Sequence, residues 1–365
     1  MSLRFLLSAT LLLGCGEPSS SEATPMPVPE RTAAQDAALR RMVMDMAQHR
    51  ACAELEGRFV PIPEWPLPEG RRPDAVGRMW ISDCSVERDD DSVAIRLSGR
   101  GWQWVDESGA GPLGTRYDVR GTVRLESRVA LDATADLRYD AATRRANVAL
   151  TPTSPPSASV TLLGNLPLSS SGAWSGVVGG LGGLLGMSPA AEARDQFGAR
   201  AEGRLRALLG RGLTVSLDLC SGQLDPLIGP LGDGEPPPPA AFDEPGWLDN
   251  ATVVLHPSAI DIAGPFASDA SGLTVEVERI SGSAPRATVV CADDAGEIAS
   301  AFLASGTAPS TASSRAVADR IAIPLAPGEC PRPHLVLYGP SSGVARVRYR
   351  ARERTPRVDA LIDCP

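Results

Sequence analysis

Residues 117–139 read YDVRGTVRLESRVALDATADLRY, and this stretch decides the fold. Its odd positions run Tyr, Val, Gly, Val, Leu, Ser, Val, Leu, Ala, Ala, Leu, Tyr, while its even positions are almost all charged or polar. A repeat of two is the signature of a strand with one buried face. At about 3.3 Å per residue the stretch spans roughly 75 Å, several times the usual strand. Such a strand is curved or broken by a turn, and its apolar face must cover something long.

The flanking segments supply that cover. Arg31 to Glu56 contains no Gly and no Pro, and its Ala, Met and Leu content predicts a helix. Its expected apolar stripe is Leu39, Met42, Val43, Met46 and Ala53, with His49 beside it as a helix-face histidine. Met79–Val86 and Val93–Val105 predict a hairpin around Arg88-Asp89-Asp90-Asp91. Val93, Ile95 and Leu97 share one parity and Trp102 and Trp104 the other, so a bulge is expected at Gly99-Arg100-Gly101. Glu192–Arg211 predicts an amphipathic helix presenting Phe197, Ala201, Leu205, Leu208 and Leu209. Leu213–Leu219 alternates as a closing strand.

Between them, residues 146–191 carry no charged side chain and no His. Within this run Trp174 to Met187 is apolar and glycine-rich, with small residues four apart at 172, 176 and 180. It is too short to cross a bilayer as a helix. Close backbone packing accounts for such spacing; as a cavity lining it would use Trp174, Val177, Val178, Leu181, Leu184 and Leu185. A helix, long curved strands, a late helix and a closing strand over residues 31–221 resemble the tubular lipid-binding superfamily. That resemblance rests on element order and strand length, without a diagnostic motif. It implies a highly curved sheet wrapped around a helix and an apolar cavity.

The first residues give an address. Arg4 precedes an apolar run from Phe5 to Leu13, the pattern of a signal peptide over 1–14. The run ends Leu12-Leu13-Gly14-Cys15, which resembles the lipobox of bacterial lipoproteins. The resemblance implies cleavage before Cys15 and acylation of that residue, with membrane lipid as its partner; several acyl chains suffice for stable anchoring. Residues 15–35, rich in Ser, Pro and Glu, then form a flexible tether. Gly16 after the cysteine fits the sorting pattern associated with the outer membrane.

An exported chain forms disulfides, and six cysteines remain: Cys52, Cys84, Cys220, Cys291, Cys330 and Cys364. The preferred map, one of fifteen, is Cys52–Cys84, Cys291–Cys330 and Cys220–Cys364. The proline-rich residues 223–246 read as a linker between an α+β domain at 36–222 and a β-sandwich-like domain at 247–365. The second domain shows short alternating segments at 252–255, 273–277, 288–291, 321–325, 335–338 and 345–351, with a short helix at 297–304. The fold class expected is therefore α+β, with long curved antiparallel strands and two helices, followed by an all-β sandwich.

Chemistry is sparse. Gly339-Pro340-Ser341-Ser342-Gly343 matches the pattern of a nucleophile elbow, but the next residues alternate as a strand and no His follows Ser341. It reads as a turn. No cysteine forms a CxxC pair and the three His are isolated, so no metal or cofactor spacing appears. No catalytic residue is assigned, and the expectation is a non-enzyme. Arg346, Arg348, Arg350 and Arg352 share one face of the last strand. A solvated edge strand explains such a row; as an anion site it suits lipid phosphates, acidic glycan or an acidic protein.

Composition agrees. Apolar residues at 43% are enough for real cores, while 36 Gly and 33 Pro in 365 residues exclude a helical bundle. A net charge of −9, with Arg as the only strong base, argues against a nucleic-acid partner. The function expected is a non-catalytic envelope lipoprotein that binds an apolar ligand through its N-terminal domain. The alternative is an interaction lipoprotein that binds an envelope protein or acidic glycan through its C-terminal β domain.

Overall fold

The computed structural model describes residues 37–38, 41, 44–45, 48, 51–53, 55–66, 73–89, 91–110, 116–140, 145–171, 189–218, 224–228, 247–266, 272–309, 311, 313–330 and 332–353. The chain divides into two compact units, Met1–Arg41 and Met42–Pro365. In the first, the described residues 37, 38 and 41 are helical. Everything below concerns the second unit. Cys15 and the signal, tether and cavity-lining residues of the sequence reading lie outside the described residues, as do His49, Cys220 and Cys364.

The second unit is predominantly β. The alternation at 117–139 is one strand, β4 (Arg116–Asp140), 25 residues long. It follows β1 (Phe59–Pro63), β2 (Ala75–Asp89) and β3 (Ser92–Ala110). Next come β5 (Arg145–Pro152), β6 (Ser157–Leu163) and β7 (Leu168–Ser171), helix α1 (Pro189–Gly210), β8 (Leu213–Asp218) and β9 (Leu224–Ile228). One edge of β4 pairs with β3 without a register break from Arg116 to Thr134. Its other edge takes β7, β6 and β5 in turn. Length is thus useful on both sides: one strand templates three. Gly121 sits at φ +149, with Pro167 against the position a Cβ would occupy, so no L side chain fits there.

Burial follows parity. On β4 residues 119, 121, 123, 125, 127, 131, 133 and 135 are buried, while 120, 128, 132, 134 and 136 are exposed. The expected bulge at 99–101 is corrected, because β3 runs in unbroken register with β4. The extra residue is Ser82 in β2, where Ile81 faces Gly99 and Asp83 faces Ser98. It carries the apolar parity of β2 from Met79 and Ile81 over to Cys84 and Val86. Trp102 and Trp104 differ in parity from Val93 because the sheet is covered on both faces.

The remaining strands are β10 (Trp247–Leu255), β11 (Ile260–Ala263), β12 (Leu273–Gly282), β13 (Arg286–Val290), β14 (Arg315–Ala316), β15 (Arg320–Leu325), β16 (His334–Tyr338) and β17 (Ala345–Glu353). Among the described residues the larger sheet runs β15-β12-β17-β10-β2-β3-β4-β5-β8-β9, and the smaller β11-β16-β13-β14. The two sheets enclose a core that includes Val253, Leu255, Val275, Leu335, Leu337, Val347 and Tyr349, the packing of a sandwich. Helix α2 (Ala292–Ser305) lies against the other side of β16. It has Asp293 and Asp294 in its first turn and ends on Gly306 at φ 74, whose N–H reaches the Phe302 carbonyl.

Three expectations change here. Residues 224–228 of the supposed linker form β9, paired with β8. The described residues on either side of 223–246 also share one sheet, through parallel pairing of Val253 with Ala75, and share cores. A split at the proline run is not seen. Finally, among the described helical residues before β1 Met44 is buried and Ala53 is exposed, while Leu39, Met42, Val43 and Met46 of the expected stripe lie outside the described residues.

Candidate functional site

The odd-numbered face of the long sheet carries two separate cores. Near one end of β4, Val119, Val123 and Leu125 pack with Val105, Leu162 and Phe197 of α1. Near the other, Leu131, Ala133 and Ala135 pack with Val93, Val148, Leu150 and Met44. Each cover is pinned by polar contacts. Helix α1 seals the outer edge of β6: Arg206 donates to the Ala158 carbonyl at 2.9 Å, Glu202 accepts from the Val160 N–H at 3.1 Å, and Arg194 donates to the Leu162 carbonyl. An open edge is thereby closed to foreign strands. The helix containing Met44 is tied to β2 by the Cys52–Cys84 disulfide, Cα–Cα 5.2 Å, and by Arg88 donating to Asp45 at 2.7 Å.

Between the two cores runs a row in register across four strands: Cys84, Leu97, Val129 and Ala158. Cys84, Leu97 and Val129 are only half-buried. Among the described residues neither Leu97 nor Val129 belongs to either core. Cys84 is taken up by its bond to Cys52, and Ala158 is buried beside α1, which leaves Leu97 and Val129 as a half-buried apolar pair on the odd face of β3 and β4.

The opposite face holds a third core. Phe59 and Trp102 pack with Ile260, Ile262 and Val336 and with Ala295, Ile298, Ala299, Phe302 and Leu303 of α2. The Trp102 indole N–H donates to the Ile260 carbonyl at 2.8 Å. Arg124, from the even face of β4, donates to the Leu303 carbonyl at 2.9 Å, placing a cation at the negative end of α2. Arg78 on β2 makes a two-pronged bond to Asp261 on β11, and burial opposes its charge while Asp261 and Tyr349 hold its pKa above the usual value.

A recess of about 90 Å³ opens beside this core, lined by Gly57, Phe59, Trp80, Ala292, Gly296, Arg332 and His334. Phe59 stacks on Trp80 at 5.6 Å and meets His334 edge-on at 5.7 Å. His334 is 2% exposed, and its Nδ1 lies 2.9 Å from the Arg332 carbonyl. Burial pushes its pKa down to about 4. Sequence reading passed over His334 as an isolated histidine. Its strand, HLVLY, is buried at four of five positions, and parity cannot mark a site on a strand covered on both sides. The Cys291–Cys330 disulfide, Cα–Cα 5.4 Å, lies next along the chain to Ala292 and near Arg332. Both described disulfides match the preferred map.

The arginine row is placed differently from its expectation. Strand β17 is internal, between β12 and β10, so it is no edge strand. Arg346 bonds Asp74 through two contacts at 2.9 and 3.0 Å, Arg348 lies 4.0 Å from Glu278, and Arg352 lies 3.2 Å from Glu276. Arg350 faces Glu276 across the sheet. Hydrogen bonding to Asp74 raises the Arg346 pKa. These guanidinium groups form a charge ladder with cross-strand carboxylates, which leaves the row poorly suited to a free anion. Residues 341–343 form a bend that leads into β17 rather than a helix, so the GxSxG segment lacks the strand–turn–helix shape of a nucleophile elbow.

No protein-family model matches the chain, and no curated protein matches it. Solved structures with similarity include a multidomain fragment of extended-synaptotagmin 2 that contains its SMP domain, at 8% identity over 88% of this chain and 66% of that one, with a TM-score of 0.17. Oxalate decarboxylase from Bacillus subtilis is 11% identical over 79% of this chain and 81% of that one, TM-score 0.15. The vicilin from Solanum melongena is 11% identical over 84% and 85%, TM-score 0.11. At scores this low none establishes a shared fold.

Proposed function

We propose that the protein is an exported, non-catalytic lipoprotein, anchored in a bacterial cell envelope through Cys15, that holds an apolar ligand against the odd-numbered face of its long sheet. The observation that carries the reading is the half-buried apolar pair Leu97 and Val129, cross-strand neighbours on β3 and β4 that belong to neither helix-covered core among the described residues. Burying apolar surface there stabilises a bound chain by about 25 cal/mol per Å². The lipobox-like Leu12-Leu13-Gly14-Cys15 and the two disulfides support an address in an oxidising compartment. The carboxylate partners of the arginine row favour this reading over an acidic-glycan receptor.

The test is extraction of the natively purified protein with organic solvent, followed by mass spectrometry of the extract. A lipid or other apolar compound in near-stoichiometric amount is expected. An empty extract from protein that still carries its acylated N-terminal peptide overturns the ligand-binding reading. A Cys15→Ala chain that stays in the membrane fraction overturns the anchor.

A further inference from the structure

The helix that covers one end of the long sheet is held to it by ties of unequal strength. Met44 packs on the core of Val93, Leu131, Ala133, Val148 and Leu150. Beside it Arg88 donates to Asp45 at 2.7 Å, but the Asp45 side chain is 55% exposed, and a pair so open to water holds little. The third tie is the Cys52–Cys84 disulfide. Of the other described helical residues from 45 to 55, 45 and 53 are exposed and 48, 51, 52 and 55 are only half-buried. Among the described residues, the covalent bond is therefore the strongest tie between this cover and the sheet.

Two features make that tie releasable. Gly57 follows the helix at φ +75, a turn that glycine adopts freely. Its N–H donates to the Ile81 carbonyl at 2.9 Å, and the Ile81 N–H donates to the Arg58 carbonyl at 3.1 Å. The chain from Gly57 onward is thus bound into the sheet, which makes this turn a hinge for the helix before it. The bond itself lies close to the surface. Cys52 and Cys84 are half-buried, and Ala53, Ser82 and Asp83 beside them are exposed. In the other described disulfide Cys330 is 5% exposed. Thiol–disulfide exchange needs a thiolate to reach a sulfur, so the more accessible bond reacts first.

We propose that Cys52–Cys84 is a redox latch on the odd face of β3 and β4. The thiolate of a dithiol reductant attacks one of the two sulfurs, the S–S bond breaks, and a mixed disulfide forms on the attacked cysteine. The reductant's second thiol then displaces that cysteine. The protein has gained two electrons and two protons as two thiols, and the reductant leaves as a disulfide. The helix swings about Gly57 and uncovers Val93, Leu131, Val148 and Leu150. Leu97, the cross-strand neighbour of Cys84, and Val129 lie on the same face, so the half-buried pair grows into a continuous apolar surface. Oxidised, the chain offers the pair; reduced, it offers the wider face. The role of the latch rests on the reading of that face as the ligand surface.

Limited treatment of the full chain with dithiothreitol, followed by alkylation and peptide mass spectrometry, tests which bond opens. Cys52 and Cys84 are expected to be labelled about tenfold faster than Cys291 and Cys330. Protein opened at Cys52–Cys84 with Cys291–Cys330 intact is expected to give about threefold more Nile red fluorescence than the oxidised chain, as apolar surface is uncovered, with its β-sheet circular dichroism unchanged. Cys52→Ala with Cys84→Ala should match the opened state without reductant; the measurement on the unmodified chain stands even where that variant fails to fold. Equal or faster labelling of Cys291 and Cys330, unchanged Nile red fluorescence, or loss of the β-sheet signal on opening overturns the latch. The dye compares two states of one chain and needs no native ligand. An empty solvent extract therefore sinks the ligand reading and leaves the opening of the cover in place, whereas unchanged dye fluorescence sinks the latch alone.

Discussion

Arg78 and Asp261, separated by 183 positions, meet in a fully buried, two-pronged ion pair at 2.6 and 2.8 Å. Both side chains are at most 2% exposed. Arg78 also lies 3.3 Å from the Phe59 carbonyl and 3.5 Å from the Tyr349 hydroxyl. One guanidinium therefore joins β1, β2, β11 and β17, strands drawn from both halves of the chain. Desolvation makes such a pair a poor source of net stability, but it makes either partner alone very costly.

Asp261→Asn is accordingly expected to destabilise the protein by about 3–5 kcal/mol. The double variant Arg78→Met with Asp261→Leu should recover most of that loss. Denaturant unfolding of the three proteins measures both effects; a single variant as stable as the parent contradicts the assignment.

Acid should weaken the fold through His334. The folded protein keeps this ring uncharged down to about pH 4, whereas the unfolded chain takes up its proton near the usual 6.5. Between those values the unfolded state binds more protons, so stability falls as pH drops through the window. The contribution reaches about 3 kcal/mol at its lower end. Unfolding free energies at pH 7 and pH 4.5 should differ less in His334→Phe than in the parent, and an unchanged difference contradicts the buried, neutral ring.

Each described disulfide closes a loop, with separations of 32 and 39 residues. On chain-entropy grounds each contributes about 3–4 kcal/mol. Cys52→Ser with Cys84→Ser should lower the unfolding midpoint and loosen the helix that carries Met44. Hydrogen exchange should then rise at residues 44–55 and stay unchanged in α2; a uniform rise across both would refute a local staple.

Replacing Arg346, Arg348, Arg350 and Arg352 by Gln should leave affinity for anionic vesicles essentially unchanged, because the row faces Asp74, Glu276 and Glu278. Half-exposed pairs of this kind contribute roughly 0–1 kcal/mol each to stability. A large loss of vesicle binding in flotation assays would restore the row as a binding surface.

Local pattern carried much of this molecule into view. Strict alternation at 117–139 marks β4 because one face is buried along its whole length, and the spacing of Cys52 from Cys84 and of Cys291 from Cys330 sits within neighbouring elements. What local pattern misses is cover on the second face. Trp102 breaks parity with Val93 because α2, distant in sequence, packs on its side, and the parity change that does signal a bulge, from Ile81 to Cys84, lies in β2. Ile260 to Ala263 is too short and too uniformly buried to alternate. Leu97 and Val129 look like ordinary core in the sequence, although among the described residues they join neither helix-covered core, and Arg78–Asp261 and His334 depend on contacts that no spacing encodes.

A photoactivatable amino acid placed at Val129, irradiated in intact cells and followed by mass spectrometry of the crosslinked peptide, tests the central claim most directly. The same residue placed at Asp132, exposed on the even face, is the control. The account predicts an apolar small-molecule adduct at position 129 and none at 132. Adducts at neither position, or equally at both, would contradict a ligand held against the inner face of the long sheet.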